Sequence, residues 1–183
     1  QSGGLIRGDS DSGIAVDGPA SGFTVTINNN AGAIIRGGGT TNAAIRTGFD
    51  NDTINNAGTI DGSSGGKAID MGGGNNTLNV TGGAAVVQGD ISGGTGGTNV
   101  MTIDPGNGNG FSYSNTISNF NDVQIKSGTV TLNSPGMITS NVSIKNSAVF
   151  VDSGTMGGTG TAVSVETGGT LSVTGSTITG QAA

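Results

Sequence analysis

The feature that most constrains this chain is a phrase that recurs with drift: an apolar residue, asparagines, a short glycine-containing turn and a second apolar residue. The segment INNNAGAI at 27–34 returns as INNAGTI at 54–60, and more loosely as LNVTGGAAV at 78–86. Between these phrases, AIRTG at 44–48 recurs as AIDMG at 68–72. Recurrence of one phrase at a nearly constant distance is the sequence signature of a solenoid.

The distance between repeats sets the length of one coil. The steps from Ile27 to Ile54, from Ile54 to Leu78 and from Leu78 to Ile103 are all about 25 residues long. A coil of about 25 residues accommodates three strands of about four residues and three corners, because strands are usually short. We therefore predict a three-sided coil of parallel strands rather than a sandwich of hairpins.

The composition favours strands and corners over helices. Glycine contributes 38 of the 183 residues, while aromatic residues make up 3% and charged residues 10%. Glycine, asparagine, serine and aspartate form helix interiors poorly, whereas threonine, valine and isoleucine favour strands. A disordered linker is the competing interpretation of so much glycine. It is disfavoured because the valines, isoleucines and leucines alternate in short doublets, as strands with one buried face require.

Near residue 105 the phrase changes. DPGNGNG at 104–110 is a cluster of turn formers, and three of the six aromatic residues follow within ten positions. Downstream, apolar pairs repeat about every 20 residues, as Val123/Ile125, Val142/Ile144 and Val163/Val165, and as Val130/Leu132, Val149/Val151 and Leu171/Val173. We predict a continuous solenoid of about seven coils, with wide coils of about 25 residues over 1–104 and narrower coils of about 20 residues over 105–183.

The residues that the chain lacks disfavour several classes of protein. It contains no cysteine and no histidine, so thiolate metal sites and imidazole bases are not available. The net charge of −6, with six dispersed lysines and arginines, argues against nucleic acid as a partner. The chain shows neither an apolar run of membrane-spanning length nor a signal peptide, so we expect no direct membrane insertion. Its abrupt start and end indicate a piece of a longer protein.

Two parts of the chain resemble a known family. INNAGTIDG at 54–62 and AIDMGGGNNTLNV at 68–80 resemble passenger domains of Gram-negative autotransporters, the exported parts of type V secretion proteins. The stretch 120–180, which begins FNDVQIKSGTVTLNS, is similar to the passenger-associated repeat that precedes the translocating barrel in that family. The resemblance implies a right-handed parallel β-helix, exported through a barrel encoded downstream and located at the bacterial cell surface or secreted.

The same resemblance sets the functional expectation. Passengers commonly act as adhesins, others as toxins, proteases, esterases or receptor-acting effectors, and function usually lies on side loops or appended domains. We expect a non-enzymatic passenger fragment acting in adhesion or host-cell interaction, without cofactor. Its partner would be a host cell-surface protein or glycan, or another bacterial cell through self-association. The alternatives are a secreted passenger that signals through a host receptor and a polysaccharide-directed β-helix enzyme.

The enzyme alternative requires carboxylates and cations on one face. The candidates for it are the acids Asp50, Asp52, Asp61 and Asp70 and the cations Arg46 and Lys67. We interpret these residues instead as solvated corner residues, so no catalytic residue is predicted.

Two segments resemble a calcium-binding repeat. GFDNDTI at 48–54 and GGGNNTL at 72–78 echo the glycine-rich nonapeptide that binds Ca²⁺ in a parallel β-roll. However, a whole coil separates them instead of the nine positions of that repeat, and Asn76 stands where an anionic ligand is needed. We favour a stacked ladder of asparagine side chains at a corner, and predict no metal site.

The tripeptide Arg7-Gly8-Asp9 is the candidate receptor-binding site. An exposed tripeptide of this type engages integrins, where the aspartate completes a metal site on the partner and the arginine fills an acidic pocket. GLIRG at 4–8 also aligns with AIIRG at 33–37, so the arginine and glycine belong to the repeat as well.

Threonine arrays suggest a further activity. Outward threonines on a flat face, as at Thr24/Thr26, Thr129/Thr131 and Thr170/Thr174, could order water and bind ice. We predict no such surface, because this spacing does not persist on one face from coil to coil.

Overall fold

A computed structural model of the chain describes residues 3–145 and 147–180. Their regular structure consists of 23 short strands, β1 to β23, which follow one another around three faces. With one exception, each strand pairs in parallel with the strand three positions later, as β1 does with β4. The fold is therefore a parallel β-solenoid of seven complete coils and part of an eighth, which confirms the predicted fold class.

We name the three faces A, B and C. Face A contains β1 (Leu5–Arg7), β4 (Ile34–Arg36), β7 (Thr59–Asp61), β10 (Val86–Gln88), β13 (Gly110–Tyr113), β16 (Thr129–Leu132), β19 (Val149–Asp152) and β22 (Thr170–Val173). Face B contains β2 (Ile14–Ala15), β5 (Ile45–Arg46), β8 (Lys67–Asp70), β11 (Asp90–Ser92), β14 (Thr116–Ser118), β17 (Met137–Ile138), β20 (Thr155–Gly158) and β23 (Thr177–Gly180). Face C contains β3 (Thr26–Asn29), β6 (Thr53–Asn56), β9 (Thr77–Thr81), β12 (Val100–Asp104), β15 (Asp122–Ile125), β18 (Val142–Ile144) and β21 (Val163–Val165).

Columns of apolar side chains fill the interior. Parallel strands lie about 4.8 Å apart, so an inward side chain packs directly on its counterpart in the next coil. One column on face C runs through Ile27, Ile54, Leu78, Met101, Val123, Val142 and Val163. One on face B runs through Ile45, Ile69, Ile91, Ile117, Ile138 and Met156, all of them buried. These columns supply a core that needs few aromatic residues.

The coils shorten along the rod, mainly at two of the three corners. The step between successive residues of the face C column falls from about 25 residues in the first coils to about 20 residues in the last ones. The corner between faces B and C, the BC corner, spans residues 16–25, 47–52, 71–76 and 93–99 in the first four coils. In the next three coils it spans only 119–121, 139–141 and 159–162. The corner between faces A and B shortens in the same direction.

Face A is interrupted where the coils change width. β10 and β13 share no ladder, so face A consists of two separate four-stranded sheets. Across this break, the Tyr113 hydroxyl donates to the carbonyl oxygen of Gly89 at 2.7 Å and lies 3.2 Å from that of Thr116. Burial raises the pKa of Tyr113, so its hydroxyl remains a proton donor. A buried side-chain bond thus links the two coils on the face where the backbone ladder is missing.

Several of the predicted pairings are confirmed, and others are wrong by one or two residues. Ile27 pairs with Ile54 and Val123 with Val142, as the repeats predict. Leu78 pairs with Met101, two positions before the predicted partner Ile103.

On face A the predicted inward pair Val149/Val151 is wrong by one residue. The inward residues of β19 are Phe150 and Asp152, which are both 0% exposed. A shift of one residue exchanges the two faces of a strand. Val149, Phe150 and Val151 are all apolar, so the sequence allows either Val149/Val151 or Phe150 to face inward. Because the true inward pair includes the polar Asp152, the sequence pattern favoured the valines.

Candidate functional site

The tripeptide Arg7-Gly8-Asp9 lies at the end of β1, where face A turns towards face B. The side chains of Arg7 and Asp9 are 59% and 77% exposed, and Arg7 Nε lies 2.5 Å from Asp9 Oδ1. The Gly8 N–H donates to the carbonyl oxygen of Arg36, and Arg7 lies beside Arg36 in the ladder, so the aligned repeat is confirmed. The tripeptide is accessible, but a receptor that binds its two side chains separately must first open this ion pair. Exposed pairs of this kind contribute only about 0–1 kcal/mol.

The structure brings two of the enzyme candidates together on face B. Arg46 lies beside Asp70 in the ladder, and Arg46 Nη2 is 2.7 Å from Asp17 Oδ1. These three residues line a concavity of about 170 Å³. Asp17 was not a candidate, because aligning IAVDG at 14–18 with AIRTG and AIDMG places it level with Thr47 and Met71 and not with Arg46 or Asp70.

The remaining acids are kept apart from that cluster. Asp61 lies on face A, where Arg36 Nε donates to Asp61 Oδ2 at 2.8 Å and Ser63 donates to Asp61 Oδ1. Lys67 pairs in the ladder with Asp90. The candidates therefore do not form one acidic groove.

Two of these carboxylates are buried, so the expectation that all were solvated corner residues is wrong. Asp52 is 2% exposed and Asp61 is 7% exposed. Asp52 Oδ1 accepts the N–H of Val25 at 2.9 Å, and Asp61 accepts the bonds from Arg36 and Ser63. Buried carboxylates require such donors, and Asp52 Oδ2 is the one oxygen of these two acids that is buried without a partner among the described residues. Both acids therefore hold the corners together.

Asp50 has the same structural role at the surface. Its two carboxylate oxygens accept the N–H groups of Ser21 and Gly22 and the hydroxyl of Ser21, at 2.8 to 3.1 Å. The bond from the Ser21 N–H, followed by that from Gly22, lowers the pKa of Asp50. The ionised carboxylate fixes the long first BC corner against the second coil.

The segments 48–54 and 72–78 stack at the BC corner and contribute to a ladder of asparagines, as predicted. The Asp52 N–H donates to Asn76 Oδ1, the Asn76 N–H to Asn99 Oδ1 and the Asn99 N–H to Asn121 Oδ1, at 2.6 to 2.9 Å. We call these four residues the BC ladder. Among residues 3–145 and 147–180, no group of three or more acidic side chains lies together as a metal site.

The outer surface of face C carries polar columns. Thr26, Thr53 and Thr77 pair in successive coils, so the expectation that threonine spacing does not persist on one face is wrong for three coils. The column continues with Val100. Beside it, the Asn55 amide donates to Asn28 Oδ1 and the Asn79 amide donates to Asn55 Oδ1, each at 2.8 Å. The threonines named from the sequence do not belong to this column, apart from Thr26.

A larger concavity lies in the middle of the rod, where the BC corner narrows. Residues 94–97 form the last wide corner and project beside the narrow corners at 119–121 and 139–141. The space between them, which we call the BC step, measures about 500 Å³. Besides Phe120 and glycines, its lining consists of asparagines and threonines, Asn99, Asn119, Asn121, Asn141, Thr95, Thr139 and Thr159. The sequence signal for it is the difference in corner length between coils four and five.

A second concavity of about 340 Å³ adjoins the BC step on face B. It shares Thr95 and Asn119 with the step and extends to Asp70, Asp90 and Lys67. The two spaces together form a trough that crosses from face B to the corner.

Comparisons with protein-family models, with curated proteins and with solved structures find no match to this chain. Over the described residues, no helix is long and apolar enough to cross a membrane. The class of protein that the structure defines is thus a parallel β-solenoid.

Proposed function

We propose that this chain is part of the β-solenoid passenger of a Gram-negative autotransporter, and that it acts without enzymatic activity in adhesion at the bacterial surface. The observation that carries the proposal is face C, a continuous sheet of seven parallel strands. Its outer surface carries threonine and asparagine columns in the first three coils. An extended polar face of this kind suits contact with a large partner over several coils.

The distribution of charged groups supports the same role. Asp50, Asp52 and Asp61 are engaged in bonds that hold corners together, which leaves them poorly suited to proton transfer. The net charge of −6 disfavours attachment to anionic membranes and nucleic acid. Adhesion to a host-cell protein or glycan, or to another bacterial cell, is the function that remains best supported.

Surface display tests this proposal. The 183-residue chain is fused to a heterologous autotransporter barrel and displayed on a non-adherent Gram-negative strain, with the barrel alone as control. We expect displayed cells to attach to epithelial monolayers, or to aggregate with one another, several-fold more than barrel-only cells at equal display. Equal attachment and equal aggregation would reject the adhesive role.

The receptor-binding variant of this proposal places the contact at Arg7-Gly8-Asp9. Lengthening Asp9 to glutamate keeps the charge but moves the carboxylate, so an integrin contact would be lost. If Asp9→Glu lowers attachment of displayed cells to integrin-bearing monolayers and Asp17→Glu does not, this site is the contact. Unchanged attachment of Asp9→Glu cells removes it.

The enzyme alternative is favoured by one observation, the meeting of Asp17, Arg46 and Asp70 in one concavity. Two carboxylates beside a cation are the groups that sugar chemistry uses. It predicts that the chain releases reducing ends from a polysaccharide and that Asp70→Asn abolishes the release. Release that persists in Asp70→Asn, or that is absent from the unmodified chain with pectic, glucan and mannan substrates, would exclude this cluster as the active site.

A further inference from the structure

We infer that the BC step is a binding site for an uncharged glycan chain. The inference rests on the proposed adhesive function, and it names the partner and the place of contact. The step lies in the middle of the rod, at residues 94–97, 119–121 and 139–141, on the corner that joins faces B and C. It exists because one wide coil is stacked on narrow ones.

The chemistry of the lining selects the class of ligand. Among the described residues that line it, the step contains amide and hydroxyl side chains and no ionisable ones. Each asparagine amide offers both a donor and an acceptor, as does each threonine hydroxyl. A charged ligand loses its hydration without gaining a counter-charge there, whereas neighbouring sugar hydroxyls can donate and accept at once. An uncharged polyhydroxylated ligand is therefore the best match.

Asn119 is one of two residues, with Thr95, that line both parts of the trough. Its backbone has φ +61°, a left-handed conformation that costs a residue with a Cβ about 1–2 kcal/mol. In the described residues this chain places glycine at sixteen positions of positive φ, and only Asn119 and Ser147 are exceptions. Asparagine is one of the few residues with a Cβ that adopts this conformation routinely, so this position carries a polar side chain where the two spaces adjoin. That amide donates to Ser92 Oγ at 3.0 Å and is otherwise exposed.

The pairing of the neighbouring strands argues against a peptide ligand. Extended peptides bind by adding a strand to an open sheet edge. Around the step, β14 is paired with both β11 and β17, and β15 with both β12 and β18. Within the described residues no sheet edge is open there, so a peptide would lose its main source of affinity.

The step offers hydrogen bonds but little stacking. Phe120 is 6% exposed and lies close under Gly93, so its ring supports the step from below. We therefore expect weak binding at each site, with a dissociation constant of about 1 mM. Many displayed copies would convert this into firm attachment through avidity.

Two pairs of variants test the site in the 183-residue chain. Asn119→Gly removes the amide while keeping a backbone that glycine adopts freely, and Ser147→Gly is the same change at the other left-handed position. Thr139→Trp fills the step, and Thr155→Trp places the same ring on the open surface of face B. Circular dichroism and thermal unfolding establish that all four variants are folded.

Binding is measured by NMR titration with neutral hexasaccharides of glucose, mannose, galactose and N-acetylglucosamine. A charged galacturonate hexasaccharide and a neutral heptapeptide serve as comparison ligands. We expect at least one neutral hexasaccharide to bind, with about tenfold weaker binding to Asn119→Gly, the effect of losing one or two hydrogen bonds. Thr139→Trp should abolish binding, and the two control variants should bind as the unmodified chain does.

Three results would overturn the inference. They are a lack of binding by every neutral hexasaccharide, binding to Asn119→Gly and Thr139→Trp that equals binding to the unmodified chain, and a preference for the charged sugar or the peptide. Displayed cells separate this result from the adhesive role. If Thr139→Trp cells still attach fully, the glycan site is wrong while adhesion stands. If the chain binds a glycan but displayed cells neither attach nor aggregate, the site is right and the proposed function is wrong.

Discussion

At the scale of single residues, adjacent asparagines in one strand have different roles. Asn56 points into the solenoid and is 0% exposed, while Asn55 points outwards. Asn56 Oδ1 accepts from the buried amide of Asn29 at 2.7 Å, and Asn55 Oδ1 accepts from the partly exposed amide of Asn79 at 2.8 Å. The two bonds have the same chemistry, so their contributions to the free energy of unfolding differ because one is buried and the other is partly exposed.

This contrast gives a matched pair of variants. We expect Asn56→Ala to lower the free energy of unfolding by roughly 2–4 kcal/mol, because it leaves a cavity and unpaired polar groups in the core. Asn55→Ala should cost less than about 1 kcal/mol, because water replaces the lost bonds. Urea unfolding followed by circular dichroism measures both. Equal losses would show that burial of Asn56 adds nothing to the stability of the solenoid.

A second residue-scale prediction concerns pH. The folded pKa of Asp50 lies below its usual value of 3.8, so its bonds to the first BC corner are present above that pH and are lost as the pH falls through the folded pKa. We expect hydrogen-exchange protection of the Ser21 and Gly22 amides to be constant at neutral pH and to fall below about pH 4.

The control for this effect is an amide bonded to a backbone carbonyl. The Ala33 N–H donates to the carbonyl oxygen of Asn30 at 2.9 Å, so its protection should not follow the ionisation of Asp50. Asp50→Asn should lower the protection of Ser21 and Gly22 already at pH 7. Protection that is unchanged in this variant would mean that the carboxylate does not hold the corner.

At the scale of elements, the corners depend on close backbone approach as well as on turn conformation. Gly72 and Gly82 both have positive φ, +63° and +78°. A Cβ atom at Gly72 would lie 1.9 Å from the carbonyl oxygen of Gly48, whereas one at Gly82 would meet nothing within 4 Å. The first corner is therefore constrained by the coil beneath it, and the second by its own conformation only.

Alanine substitution separates these two constraints. We expect Gly82→Ala to cost about 1–2 kcal/mol, the strain of a left-handed residue with a Cβ. Gly72→Ala should cost roughly 1–3 kcal/mol more, because the backbone of the coil below must move. Thermal or urea unfolding gives both values. A Gly72→Ala variant as stable as Gly82→Ala would contradict the stacking distance at this corner.

At the scale of the whole molecule, the rod has a seam between its two halves. Face A is broken between β10 and β13, and the bond from the Tyr113 hydroxyl to Gly89 crosses the break. In a solenoid each coil contacts only its neighbours, so the weakest interface limits cooperativity. The seam is the place at which the wide and narrow coils are expected to separate first.

Removing one hydroxyl tests the seam. Tyr113→Phe should lower stability by about 1–2 kcal/mol, because the buried carbonyl oxygen of Gly89 loses its donor. It should also lower the dependence of the unfolding free energy on urea, since the halves no longer unfold together. Phe111→Leu, which alters the ring beside Tyr113 but keeps its hydroxyl, is the control and should leave that dependence unchanged. A single transition of unchanged steepness in Tyr113→Phe would disprove the weak seam.

The sequence predicted the solenoid but not its surface. The columns headed by Ile27 and the asparagine ladder follow from spacing alone, because stacked coils repeat the same phrase. The register of β19 did not follow, because the sequence does not reveal that Asp152 is buried, with its Oδ1 bonded to the Gly154 N–H. The BC step was missed for another reason. It arises from a difference between neighbouring coils, and that difference is visible only once the coils are aligned on one another.

The BC ladder has a consequence for the use of this chain as a scaffold. In coils two to five the BC ladder residue lies immediately before the face C strand. The hydrogen bonds that align this strand therefore come after the rest of the corner in the chain. Residues 16–25 and 119–121 occupy equivalent corners with very different lengths. Foreign loops could therefore be grafted upstream of the ladder residue, and the neighbouring coils would present them in fixed positions along the rod.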